Sequence, residues 1–186
     1  MTVSSVKTGE LSLSFALNNN FMEPIATTLV GSGGTNNITF NDIPQTYKHL
    51  QLRCSALTTT GGKVMVMKLN SDNGSNYTSH ILQGNGSAAS AAGFIGNSFA
   101  RFFGLGHGTS TTNPAGSIVD LLDYTNTSKN KTLRALSGCD FNGSGEVTLE
   151  SALWLNTNAI SSIQIVTNDG TNYAQYSRFS LYGIKG

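Results

Sequence analysis

Period-two alternation of apolar and polar side chains recurs from residue 25 to the end of this chain, and it constrains the fold more than any other feature. In His49-Leu50-Gln51-Leu52-Arg53-Cys54-Ser55-Ala56, alternate residues Leu50, Leu52, Cys54 and Ala56 fall on one face. That is the pattern of a half-buried β-strand. Val64-Met65-Val66-Met67 is apolar on both faces, as a central strand requires. Val147, Leu149, Ser151 and Leu153 alternate against Glu146, Thr148, Glu150 and Ala152. In the stretch 118–124, Ile118, Asp120, Leu122 and Tyr124 share one side, and Val119, Leu121 and Asp123 the other. Ile163, Ile165 and Phe179-Ser180-Leu181-Tyr182 continue the series.

Turn signals separate these runs: Gly31-Ser32-Gly33-Gly34, Thr60-Gly61-Gly62, Asp72-Asn73-Gly74, Asn142-Gly143-Ser144-Gly145 and Asn168-Asp169-Gly170. Thr60-Gly61-Gly62 is the first choice for a β-hairpin and Asn142 to Gly145 the second. Gly84 to Gly96 and Gly104 to Gly116, rich in small residues, read as long loops. No stretch carries a helical period with caps. The fold expected is all-β, an antiparallel jelly-roll-like β-sandwich spanning 23–186. Residues 1–22 stand apart. In them Leu11, Leu13, Phe15 and Leu17 alternate, as in an extended assembly arm or a first strand of the same domain.

Composition narrows the function. Charged residues are 11% of the chain, against about a quarter in an average domain. Asn, Ser, Thr and Gly take their place. Net charge is +1, so no long-range field recruits nucleic acid or anionic lipid. The first residues lack the apolar core of a secretion signal, and no apolar run approaches a bilayer span. The expectation is synthesis in a cytoplasm, with no nucleic-acid or membrane partner. The seven Asn-x-Ser/Thr sequons, for example Asn73 and Asn126, then read as products of composition.

Candidate chemistry is sparse. Cys54 and Cys139 lie in strand-like stretches and read as buried thiols, pairable only if their strands are neighbours. His49, His80 and His107 show no clustered spacing for a metal. Glu146 and Glu150 share a strand face about 13 Å apart, too far for a glycosidase pair. Gly-x-Ser-x-Gly is absent. We therefore expect no catalytic residues and no cofactor. The loop at 70–76 gives a weak calcium candidate, with Asp72, Asn73 and Asn76 as oxygen ligands, although one carboxylate is few for that ion. Trp154, Tyr77, Tyr173 and Tyr176 are the rings a sugar site could use.

Several segments together resemble a known module. They are residues 23–29, the run Ile43 to Arg53, and Leu69-Asn70-Ser71-Asp72-Asn73-Gly74-Ser75-Asn76-Tyr77 with its Asn-x-Asp-x-x-x-Asn-Tyr pattern. Asp120 to Thr127, Leu153 to Ile160 and the terminal Phe179-Ser180-Leu181-Tyr182-Gly183-Ile184-Lys185 complete them. The chain resembles, over 23–186, a module of tailed-bacteriophage virion proteins of the cyanophage and marine-phage type. The resemblance implies a non-enzymatic structural protein of the virion, assembled in the host cytoplasm as a homotrimer. It does not say where on the particle; the short chain, with no fibre shaft ahead of the module, tilts the expectation to capsid decoration (cement) beside the major capsid protein. A tail-fibre or tail-tip module binding a host receptor or glycan is the alternative. It carries over no catalytic or ligand residues.

Overall fold

The computed structural model describes residues 21–61, 63–105 and 112–186. Among them are twelve strands and no α-helix. In chain order they are β1 (Met22–Leu29), β2 (Asn37–Phe40), β3 (His49–Ala56), β4 (Lys63–Leu69), β5 (Tyr77–Gly84) and β6 (Ala89–Asn97). Then follow β7 (Ala100–Leu105), β8 (Ala115–Leu122), β9 (Lys131–Asp140), β10 (Gly145–Trp154), β11 (Ile163–Thr167) and β12 (Arg178–Ile184). They form two antiparallel sheets, one of eight strands in the order β1-β12-β3-β8-β9-β10-β5-β6 and one of four in the order β2-β11-β4-β7. The fold is a β-sandwich, as the alternation predicts.

The core is the layer between the sheets. Leu50, Leu52, Cys54 and Ala56 of β3 enter it from the large sheet, with Val119 and Leu121 of β8 and Phe179 and Leu181 of β12. Ile38, Phe40, Met65, Met67, Ile163 and Ile165 meet them from the small sheet. Val66 is buried as well, so β4 is covered on both faces as its unbroken apolar run requires. Cys54 and Cys139 are both buried, on β3 and β9 with β8 between them. Two strand spacings are about 10 Å, beyond the reach of a disulfide.

The structure corrects several expectations. Thr60-Gly61-Gly62 does not close a hairpin, because β3 and β4 belong to different sheets. A Gly-rich reversal marks where a chain turns, not whether the flanking strands pair or face each other. The turn at Asn142 does close a hairpin, β9 to β10. Asn142 and Gly143 both have positive φ, the pairing that a two-residue reversal between twisted strands demands. Much of the expected loop Gly84 to Gly96 is strand: β6 pairs with β5 along its length. Its Ala, Ser and Gly side chains carry weak β preference, and backbone pairing to β5 overrides it. Finally, strand β8 ends at Leu122. Asp123 has a φ of +47°, and this left-handed step turns Tyr124 into the core, off the face assigned to it by alternation. The arm candidates Leu11, Leu13, Phe15 and Leu17, and His107, lie outside the described residues.

Candidate functional site

The segment 69–77 and the segment 153–162 meet at one end of the sandwich. Asn70 and Ser71 follow β4 with positive φ, which turns the chain from the small sheet toward the large one. The Asn70 side chain then bridges segments distant in sequence. Its Nδ2 donates to the Ala159 carbonyl at 2.8 Å, and its Oδ1 accepts from the backbone N–H of Ser161 at 2.8 Å and of Ser162 at 3.1 Å. Asp72 accepts from Gly74 N–H (2.8 Å), Asn76 Nδ2 (2.9 Å) and Trp154 Nε1 (2.7 Å). The Trp154 bond is the largest influence holding the Asp72 carboxyl below its ordinary pKa. Tyr77 stacks on Trp154 with ring centroids 6.3 Å apart. Its hydroxyl accepts from Leu69 N–H at 3.0 Å.

These contacts show what the motif does. Asp72, Asn73 and Asn76 do come together, but the groups aimed at Asp72 are N–H donors. Asn73 Oδ1 accepts from Lys68 Nζ at 2.6 Å. The Asp72 carboxylate and Asn73 Oδ1 are thus engaged with donors, and Asn76 is itself one of those donors, so the arrangement works as a turn lock. Trp154, Tyr77 and Tyr173 are buried to within about one per cent, so none offers a ring face to a sugar. Among the four aromatic candidates only Tyr176 is exposed.

A second lock lies nearby. Lys131, fully buried, donates Nζ to three carbonyls, those of Asn126 (2.6 Å), Lys129 (3.0 Å) and Thr157 (2.8 Å). The ammonium takes the place an internal cation would occupy and ties two loops together. Burial holds its pKa below the ordinary lysine value. Asp123 pairs with Lys48 at 3.1 Å and with Lys129, and these bonds pull its pKa down to about 2. His49 Nδ1 accepts the Asp123 N–H at 2.9 Å, a structural use of that histidine. Asp120 and Arg134 are opposed in register on β8 and β9, while Asp123 uses the two lysines. Asp120 Oδ1 accepts from Gln51 Nε2 at 2.9 Å.

Strand β10 departs most from a hydrophobic-inside reading. Thr148, Glu150, Ala152 and Trp154 face inward, and Val147 and Leu149 face out. The anchoring of Trp154 to Asp72 sets this phase, and each residue upstream follows by alternation. Two consequences arise. Glu150 is 3% exposed, and neither carboxylate oxygen has a hydrogen-bond partner among the described residues. Burial raises its pKa from 4.5 to about 7, with the Arg101 charge opposing and Glu146 assisting.

The other consequence is on the outside. Register places Ala91, Leu82, Leu149, Leu136 and Ile118 side by side across β6, β5, β10, β9 and β8. Leu149 and Leu136 are 55% and 56% exposed, and Leu82 and Ile118 are also open to solvent. The neighbouring row is Ala89, Gly84, Val147, Gly138 and Gly116. These ten positions form a band without a side-chain polar atom, and a hollow of about 700 Å³ lies over part of it, lined by Leu82, Ala91 and Leu149 with His80, Arg134 and Ser151. Beyond it runs a polar row with His80, Ser151, Arg134 and Asp120. Edge strand β6 adds Ile95, 86% exposed, and contains no charged residue. A natural edge is usually guarded by charge or proline. Nothing in the alternation alone said which face of β10 is outward; the long-range Trp154–Asp72 bond decides it.

No cluster of three or more His, Cys, Asp or Glu suited to a metal occurs among the described residues. No helix among them is long and apolar enough to cross a membrane. A cleft of about 900 Å³ beside the β9–β10 hairpin is lined by Asn85, Asn113, Asp140 and Asn142 with several glycines. No family model matches the chain, and no curated protein matches it. A crystal structure of a protein of unknown function from Shewanella oneidensis MR-1 aligns over 98% of this chain and 97% of its own. Its identity is 9% and its TM-score 0.22, an overlap too slight to carry an argument.

Proposed function

We propose that this chain is a non-enzymatic structural protein of a tailed-phage virion, acting as a trimeric decoration protein that stabilises the head through contacts with its neighbours. The observation that carries the reading is the uncharged band on the outer face of the large sheet. A contiguous exposed apolar band of this kind marks an interaction surface. The polar side chains support the same reading, because Asn70, Asp72, Asn76 and Lys131 are spent on fixing loops to each other. Major capsid or tail proteins are the partners in this reading. The receptor-binding alternative ranks behind it, since three of the four aromatic side chains it would use are buried.

The test is the particle itself. Mass spectrometry of washed virions from the source of this sequence should find the chain at a fixed ratio to the major capsid protein. A density map should show it on the head in groups of three. Its absence from the particles would refute the proposal, and density at the tail tip together with selectivity on a glycan array would favour the alternative.

A further inference from the structure

We infer that the outer face of strands β8, β9, β10, β5 and β6 is covered by the same face of a second copy of this chain, in a two-fold contact centred on Leu149. This deepens the assembly reading by naming the partner of that face. Leu149 sits on the middle one of the five strands, flanked in register by Leu136 and Leu82. Ile118 extends the row on one side, and Val147 begins the glycine-lined row beside it. The five strands are about 24 Å across and about 27 Å long, so the face is about 650 Å² in plan. Side-chain relief brings it close to the ~800 Å² per partner of a stable interface. The polar row with Arg134 and Asp120 borders the apolar band on one side, and Arg53 of β3 follows Ile118 at the end of its row, so polar groups flank the band as they flank the apolar part of protein–protein interfaces.

Three arguments select a copy of the chain. A rim holding both charge signs does not repel itself. A flat sheet face packs on another sheet face at about 10 Å with no backbone group left unpaired. A lone strand, such as one formed by Leu11 to Leu17, would lay unpaired N–H and C=O groups on an apolar floor, which is costly. A face meeting itself makes a closed, two-fold contact. Where the chain is also trimeric, the same contact joins two trimers.

The experiment is light scattering of the full chain at about 1–100 µM, with Leu149→Lys, Leu149→Glu and a form lacking residues 1–20. The wild type should be an even-numbered species, a dimer or a pair of trimers. Either Leu149 variant should halve its mass and weaken pairing about 100-fold or more, as loss of a central anchor does. Mixing the two variants should restore the doubled mass, which a misfolded chain cannot do. The inference is overturned if the wild type is a monomer or a single trimer, or if both variants keep its mass. Loss of pairing on removal of residues 1–20 alone would overturn it in favour of the arm. Virion location is read from particles, so the failure of one idea is distinguishable from the failure of the other.

Discussion

Substituting Glu150 by Gln should stabilise the protein at neutral and alkaline pH and hardly at all below pH 4. Glu150 lies between Ala135 of β9 and Ile81 of β5, facing the small sheet. Its carboxyl has no hydrogen-bond partner among the described residues. Burial raises its pKa from 4.5 to about 7. The folded value therefore lies above the unfolded one, so below pH 4.5 the carboxyl is neutral in both states and linkage costs nothing. As pH rises from 4.5 to 7, the unfolded chain ionises while the folded one holds its proton, and stability falls. Above pH 7 the loss is complete. A shift of this size is worth about 3 kcal/mol. Gln keeps the shape and never ionises, so it removes the pH-dependent loss. Urea unfolding followed by fluorescence of the single tryptophan, Trp154, gives the free energy at each pH. The stability difference between Glu150→Gln and wild type should grow by about 3 kcal/mol from pH 4 to pH 8, or about 6–12 °C in melting temperature. A difference that changes by less than about 1 kcal/mol over that range would refute the reasoning.

Other substitutions test the locks. Lys131→Met removes the ammonium from three part-buried carbonyls and should cost about 1–3 kcal/mol by the same urea titration; a loss below about 0.5 kcal/mol would show that water replaces it. Gly183→Ala puts a methyl group 2.3 Å from the Tyr47 ring and should destabilise by about 1–3 kcal/mol. Trimming the ring with Tyr47→Ala should make the pair less than additive in a double-mutant cycle. Trp154→Phe replaces the buried indole by a smaller ring and removes the N–H from Asp72, a charge-assisted bond worth about 1.5–3 kcal/mol in addition to the pH-independent loss of packing. Asp72 has a depressed pKa, so its contribution is present above the unfolded value near 3.8 and is lost as pH falls through the folded value. Urea unfolding of wild type and Trp154→Phe, both followed by circular dichroism because the variant has no tryptophan, should accordingly show a gap that narrows toward low pH, and a constant gap would contradict the assignment.

The sandwich was legible because alternation is a local property. Leu50, Leu52, Cys54 and Ala56 point inward for no reason beyond their spacing on β3. What was hidden depends on contacts between distant residues. The phase of β10 is set by Trp154 reaching Asp72, 82 positions away in the chain. Local hydrophobicity would have turned Val147 and Leu149 inward and Glu150 outward, the reverse of what is seen. Strand β6 was hidden for a related reason, since its small residues signal a loop until β5 is there to pair with. The loop at 70–76 reads as a cation site when only its oxygens are counted. The donors that engage those oxygens come partly from Trp154 and Lys68, which the loop sequence does not announce. Gly183 has a partner invisible to any window, the ring of Tyr47 that lies where its Cβ would be.

The proposed contact between copies rests on the apolar band of the large sheet. Sedimentation equilibrium of the wild type at about 0.05 M and about 0.5 M salt tests it most directly, because screening weakens ionic contacts and leaves apolar ones intact. The account predicts association that is unchanged or tighter at the higher salt. Association that falls tenfold or more, or a chain that stays monomeric at both, would contradict it.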